Sequence, residues 1–251
     1  MLSNNRISFV KSLQQKKYRA EEGLFVAEGD KLVREYLQSS FEVDSVYAHT
    51  EWLQRHGTLI KQPTQSAGAT EKDLTRMSSL VTAPEVLAVV KVPQFTIKTE
   101  EFRKGLVLVL DGIRDPGNLG TIIRTADWFG IDHIVASDDT AEHWNPKVVQ
   151  ASMGSLTRVK IVNRDLAEFF AEVKHQSVCG TFMEGENIYS SELAKDALIV
   201  IGNEANGIRD TTADFITKKI SIPSFNAGSN KPESLNAAIA TALVVAEFRR
   251  Q

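Results

Sequence analysis

The stretch Leu106-Val107-Leu108-Val109-Leu110-Asp111-Gly112-Ile113-Arg114-Asp115-Pro116-Gly117-Asn118-Leu119-Gly120 decides the fold. An unbroken apolar run reads as a strand buried on both faces, and the glycines and proline after it mark a tight backbone route into a helix over 121–129. On that helix Ile122, Ile123, Ala126 and Phe129 form the apolar stripe, which at about 100° per residue puts Arg124 on roughly the opposite side. Arg124 is thereby directed to solvent, substrate or a partner chain. Asn118 suits the N-cap of the same helix and by that reading needs no further role.

Downstream, strands are expected at 133–136, 159–162, 178–182, 198–201 and 219–222, with helical stretches between most of them. Strands alternating with helices predict an α/β domain with a mostly parallel sheet covered on both faces. Ligands of such sheets sit in the loops beyond the carboxyl ends of the strands. Upstream, helices over 8–19 and 30–38 and strands over 23–27, 45–48 and 86–92 predict a smaller α/β domain. Between them Val92-Pro93-Gln94-Phe95 and the charged run Lys98–Lys104 break the periodicity. The expected division is residues 1–95 for the small domain, 96–104 for a linker and 105–251 for the larger domain.

Two further loops stand out. Gly202-Asn203-Glu204-Ala205-Asn206-Gly207 follows an apolar strand, where glycine permits close approach to the backbone and a carboxylate can bind hydroxyls, an amine or an arginine. The third, Ile222 through Asn236, enters a final helix in which Thr241 is the only polar residue from Ala237 through Ala246. A helix apolar all round must be buried all round, so packing on its own sheet and on a second subunit is expected.

Composition is that of an ordinary globular chain: 251 residues, 42% hydrophobic, 24% charged and a formal net charge of −3. That balance excludes nucleic-acid binding through overall positive charge, but leaves room for a local basic patch. Arg6, Lys11, Lys16, Lys17 and Arg19 form such a run, with no acid among them before Glu21. They are the expected RNA contacts. The single Cys179 allows no internal disulfide, which points to a reducing compartment. The N-terminus lacks the apolar run of a signal peptide, and no stretch reaches the roughly 18 apolar residues of a membrane span. A cytoplasmic protein without a membrane segment or metal site is expected.

Together the loops resemble the SpoU/TrmH family of RNA ribose methyltransferases, of the SPOUT superfamily. The resemblance rests on three ordered motifs: Asn118-Leu119-Gly120-Thr121-Ile122-Ile123-Arg124-Thr125-Ala126, Gly202 to Gly207, and Ile222-Pro223 with Glu233-Ser234-Leu235-Asn236-Ala237-Ala238. Pro146 to Ser155 looks like another family segment, and Phe25 to Val33 is similar to the front of the family's small substrate-binding domain. Ala237-Ala238 replaces a commoner Val-Ser pair, and Pro84-Glu85-Val86 lacks a glycine often seen there.

The resemblance implies methylation of a ribose 2'-hydroxyl in structured RNA, ribosomal RNA ahead of transfer RNA, with S-adenosylmethionine as cofactor. It implies a C-terminal trefoil knot, with Thr181, Gly202, Ile222 and Leu235 contacting the cofactor. Arg124 would be catalytic, assisted by Asn118, Glu204, Ser234 and Asn236, and the first motif would meet the cofactor across a homodimer interface. Two other classes fit the sequence less well. A nicotinamide-dependent enzyme needs a G-x-G-x-x-G turn, which 111–120 lacks. A noncatalytic RNA-binding protein on a methyltransferase-like fold would keep the basic run but have no use for Arg124, Glu204 and Asn236.

Overall fold

A computed structural model gives the fold and describes residues 2–174, 177–226 and 234–250. The chain divides into two compact units: residues 1–94 with 142–157, and residues 95–141 with 158–251.

The first unit begins with α1 (Asn4–Ser12) and α2 (Lys16–Glu22). Then come β1 (Leu24–Glu28), α3 (Asp30–Gln38), β2 (Val43–Ala48), α4 (Thr50–His56), β3 (Gln65–Gly68), α5 (Glu71–Met77) and β4 (Val86–Lys91). Its sheet runs β1-β4-β2-β3, antiparallel except for the β2/β3 pair. The single helix expected over 8–19 is two. The guanidinium of Arg19 donates to the carbonyl of Leu13 (2.8 Å), and helical structure resumes at Lys16. Strand β3 and helices α4 and α5 escaped the sequence reading because Gln-Ser-Ala-Gly and short polar helices carry little periodic apolar signal.

In the second unit β5 (Leu106–Asp111), α6 (Pro116–Trp128) and β6 (His133–Ala136) come first. The chain then contributes α7 (Pro146–Ser152) to the first unit, where Trp144 stacks on Phe25 at 4.8 Å between ring centroids. The division expected from sequence had kept this excursion with the larger domain. It resumes with β7 (Lys160–Asn163), α8 (Leu166–Val173), β8 (Val178–Asn187), β9 (Ala197–Gly202), α9 (Asp210–Ala213), β10 (Lys218–Ser221) and α10 (Ala237–Arg250). The expected linker is not free of packing, since Phe102 is buried with Val107 and Phe169 in the core of this unit.

The six strands lie in the order β10-β8-β9-β5-β6-β7, every neighbouring pair parallel. Strand order therefore reverses direction between β5 and β9, which is where open α/β sheets bind ligands. Register places Asp111 opposite Gly202, so the loops that leave these two strands start side by side.

Candidate functional site

Asp115, not Asn118, caps α6: its Oδ1 accepts the backbone N–H of Asn118 at 2.7 Å. Pro116 then occupies the first turn, where its missing N–H costs nothing. This corrects the sequence-level reading of Asn118 as a mere cap and leaves its side chain for other work.

That side chain joins a directed chain of amides. Asn236 Oδ1 accepts the backbone N–H groups of Ala238 (3.0 Å) and Ile239 (3.2 Å) at the start of α10. Its Nδ2 must therefore point the other way, and it donates to Asn118 Oδ1 at 2.8 Å. Asn118 Nδ2 in turn donates to Glu204 Oε1 at 2.8 Å. Because a carboxylate only accepts, the flip state of both amides is fixed by the network. Three residues expected from three separate loops thus meet at the carboxyl edge of β5 and β9.

Glu204 is held by its own loop. The N–H of Asn203 donates to Gly207 O and that of Gly207 to Asn203 O, each at 2.9 Å, and Gly207 has a φ of 68°, in the left-handed region that favours glycine. Asn203 Oδ1 accepts from the N–H groups of Ala205 (2.9 Å) and Asn206 (3.1 Å), while its Nδ2 donates to Gly112 O at 2.7 Å. Gly202 lies directly beneath. A Cβ there would fall 2.6 Å from Gly207 O and closer still to Gly207 C and Ile208 N. Glycine at 202 is thus demanded by the chain's own backbone.

Arg124 is exposed and makes no hydrogen bond or ion pair with a described residue, and Ser234 is likewise exposed. The structure does not bring either into the Asn236-Asn118-Glu204 chain. Thr181 lies within β8, just past the residues paired with β9, with its hydroxyl on Val200 O (3.2 Å); Gly202 ends β9; Ile222 directly follows β10. Gly202 and Ile222 stand at the carboxyl ends of β9 and β10, the two neighbours of β8, while Leu235 is 48% exposed. Residues 227–233, which include part of the third motif, lie outside the described residues.

Three polar residues here were missed. Asp111, Arg209 and Asp139 form an ion-pair group at the same edge, with Arg209 Nε donating to Asp111 Oδ1 at 2.6 Å and Arg209 Nη2 3.5 Å from Asp139. The hydroxyl of Ser137, then the guanidinium of Arg114, hold the Asp139 carboxyl below its ordinary range. A carboxylate continuing a buried strand, as Asp111 does, is the signal that could have found the group.

Two of the expected RNA contacts are corrected. Arg19 is 2% exposed, paired with Glu142 through Nε at 2.9 Å and bonded to Leu13 O. Arg6 is turned to Tyr47, Asp44 and Ser45. Carboxylates of the first unit, Glu142 for Arg19 and Asp44 for Arg6, pair with both charges. Lys11, Lys16 and Lys17 are exposed.

A family model described as the SpoU rRNA Methylase family matches residues 105–246. The chain belongs to that family. A second model, an MRM3-like substrate binding domain, matches residues 4–88. Among SpoU relatives, the chain is 30% identical over 249 residues to the 23S rRNA (guanosine(2553)-2'-O)-methyltransferase RlmP of Bacillus subtilis (strain 168), covering 98% of this chain and 96% of that protein. In structure it is similar to a putative TrmH-family RNA methyltransferase from Porphyromonas gingivalis, with a TM-score of 0.89 and 37% identity over 100% of this chain and 99% of that one. An AdoMet-bound rRNA methyltransferase from Sinorhizobium meliloti matches with a TM-score of 0.88 and 26% identity, over 100% and 96% of the two chains.

Proposed function

We propose that the protein methylates a ribose 2'-hydroxyl of ribosomal RNA with S-adenosylmethionine as methyl donor. The observation that carries this is the Asn236-Asn118-Glu204 chain, assembled at the switch point of the sheet from the three loops that hold the family motifs. Family membership and relatives named as 23S rRNA 2'-O-methyltransferases support the substrate class.

The donor set suits the cofactor. Thr181 on β8, Gly202 and Ile222 at the ends of β9 and β10, and the exposed Leu235 offer backbone groups and apolar surface, appropriate to an adenosine and a methionine tail. When bound, the cofactor supplies an electrophilic methyl on a sulfonium. The protein's task is to align the ribose oxygen and assist loss of its proton, effects worth about 7–11 kcal/mol and about 10²–10⁴-fold respectively. Arg124, a planar fork of donors with no acceptor, serves as orienting donor and stabiliser of the developing alkoxide rather than as base. Asn118, Glu204, Ser234 and Asn236 complete the catalytic set.

The active form is a homodimer through α10. Support comes from an apolar surface that one chain leaves uncovered: Ile239 (53% exposed) and Leu243 (38%) one turn apart on α10, and Trp128 (85%) on α6, the helix on which α10 packs. Arg124, also exposed on α6, then acts in the partner's site. The remaining parts of the reading are a trefoil knot in the C-terminal unit, RNA contact through Lys11, Lys16 and Lys17, and a cytoplasmic location. The chain has no helix long and apolar enough to cross a membrane among its described residues.

Methyl transfer from labelled S-adenosylmethionine to undermethylated ribosomal RNA, followed by mapping of 2'-O-methyl positions, tests the assignment. The expected result is one new alkali-resistant linkage that Arg124→Ala abolishes. Incorporation into a base instead of a ribose overturns it.

A further inference from the structure

We propose that Arg209 is a positioning residue for methyl transfer: by clasping the buried Asp111 it holds the loop that presents Glu204 to Asn118. The inference rests on the function proposed above.

Asp111 ends β5, 1% exposed, at a depth where a carboxylate requires a partner. Among the described residues, Arg209 is the partner of both its oxygens. Its backbone N–H donates to Oδ2 at 2.9 Å, its Nε to Oδ1 at 2.6 Å, and its Nη2 lies 2.5 Å from Oδ1. Arg209 stands at the far end of the loop that Gly202 begins. At the near end Asn203 Nδ2 donates to Gly112 O at 2.7 Å. The Glu204 loop is therefore tied at both ends to one dipeptide, Asp111-Gly112, and that dipeptide also starts the route to Asn118.

A second carboxylate fixes the fork's direction. Arg209 Nη2 lies 3.5 Å from Asp139, which also receives Arg114 (3.2 Å) and the hydroxyl of Ser137 (2.7 Å). Ser137 Oγ in turn accepts the N–H of Gly112 at 2.8 Å. Burial pulls the Arg209 pKa down, but the bond to Asp111 and the charges of Asp111 and Asp139 more than offset it, so the guanidinium stays charged. Although its side chain is 48% exposed, it is flanked by two carboxylates that would repel an RNA phosphate. Its influence on the reaction runs through Asp111. Lysine cannot substitute, because an ammonium lacks the planar fork that spans two acceptors.

The test compares wild type, Arg209→Met, Arg209→Lys, Asp111→Asn and the Asp111→Asn/Arg209→Met double variant in single-turnover methyl transfer with ribosomal RNA and S-adenosylmethionine. The double variant buries no unpaired charge and the lysine variant keeps a cation beside Asp111, which keeps folded protein available. Rates at saturation should fall by about ten- to 10²-fold, as displacement on the scale of 1 Å does, with half-saturation concentrations of RNA and cofactor within about twofold of wild type. The double variant should be no slower than the slower single one, since both remove one clasp. Without substrates, the Asn118 side-chain amide resonance should shift in Arg209→Met as its bond to Glu204 is lost. A wild-type rate in Arg209→Met, multiplying losses, or a loss confined to RNA half-saturation with a shallower salt dependence overturns the proposal. Should the wild type transfer no methyl group, the resonance decides separately: a shift sustains the clasp while the assigned function fails, and no shift refutes the clasp.

Discussion

Replacing Gly202 by alanine tests whether the chain's own backbone, as well as any ligand, demands glycine there. The added Cβ would lie 2.6 Å or less from three backbone atoms of Gly207 and Ile208, whereas ordinary contact begins at 3.4 Å. Neither neighbour is a flexible side chain, so relief requires the 203–208 loop to move by roughly 1 Å, at an overpacking cost of about 1–3 kcal/mol. A displacement of that size stretches the 2.8 Å bond from Asn118 to Glu204 beyond hydrogen-bonding range. Melting temperature and single-turnover methyl transfer, measured on the same preparation, should both fall, the rate by about 10²-fold. Calorimetry with S-adenosylmethionine then separates the two roles of the glycine. A variant that melts and reacts like wild type would refute the backbone argument, and one that loses cofactor affinity alone would assign Gly202 to the ligand only.

Arg124→Ala should abolish methyl transfer with cofactor affinity nearly intact, and Arg124→Lys should be severely impaired; a fully active lysine variant, assayed in single turnover, excludes the orienting role. Leu243→Asp on α10 should yield monomers by light scattering, and a wild type that is already monomeric at micromolar concentration sinks the dimer. Joint replacement of Lys11, Lys16 and Lys17 by glutamine should weaken RNA binding and flatten its salt dependence, whereas Arg19→Met should instead cost about 3 kcal/mol of stability by leaving Glu142 unpaired. Burial, partly opposed by the charge of Glu142, lowers the pKa of His143 to about 4 from 6.5. The native state thus refuses a proton that the unfolded chain accepts. Stability is intact above pH 6.5 and declines as pH falls towards 4, by about 3 kcal/mol if the first unit unfolds. Denaturant titrations of His143→Phe across this range should lack that increment; equal slopes for both proteins remove His143 as its source.

The alternation of apolar strands with helices was readable from Leu106 onward because burial on both faces of a parallel sheet leaves an unbroken apolar run. The family resemblance carried by the ordered motifs likewise implied roles for Asn118, Glu204 and Asn236, which by their local pattern alone read as helix caps and a solvated turn. Sequence could not say that these three touch. Their contacts span 86 and 118 residues, and only the parallel register that sets Asp111 beside Gly202 brings the loops together. Arg19 shows the opposite case. Its charge reads as available in a basic run, yet the fold sets it against Glu142, 123 residues away, and hides it. Local propensity and patterning act over a few residues and are written in the chain, whereas the pairing of charges and amides across the sheet depends on which strand ends become neighbours, and that the tertiary structure alone decides.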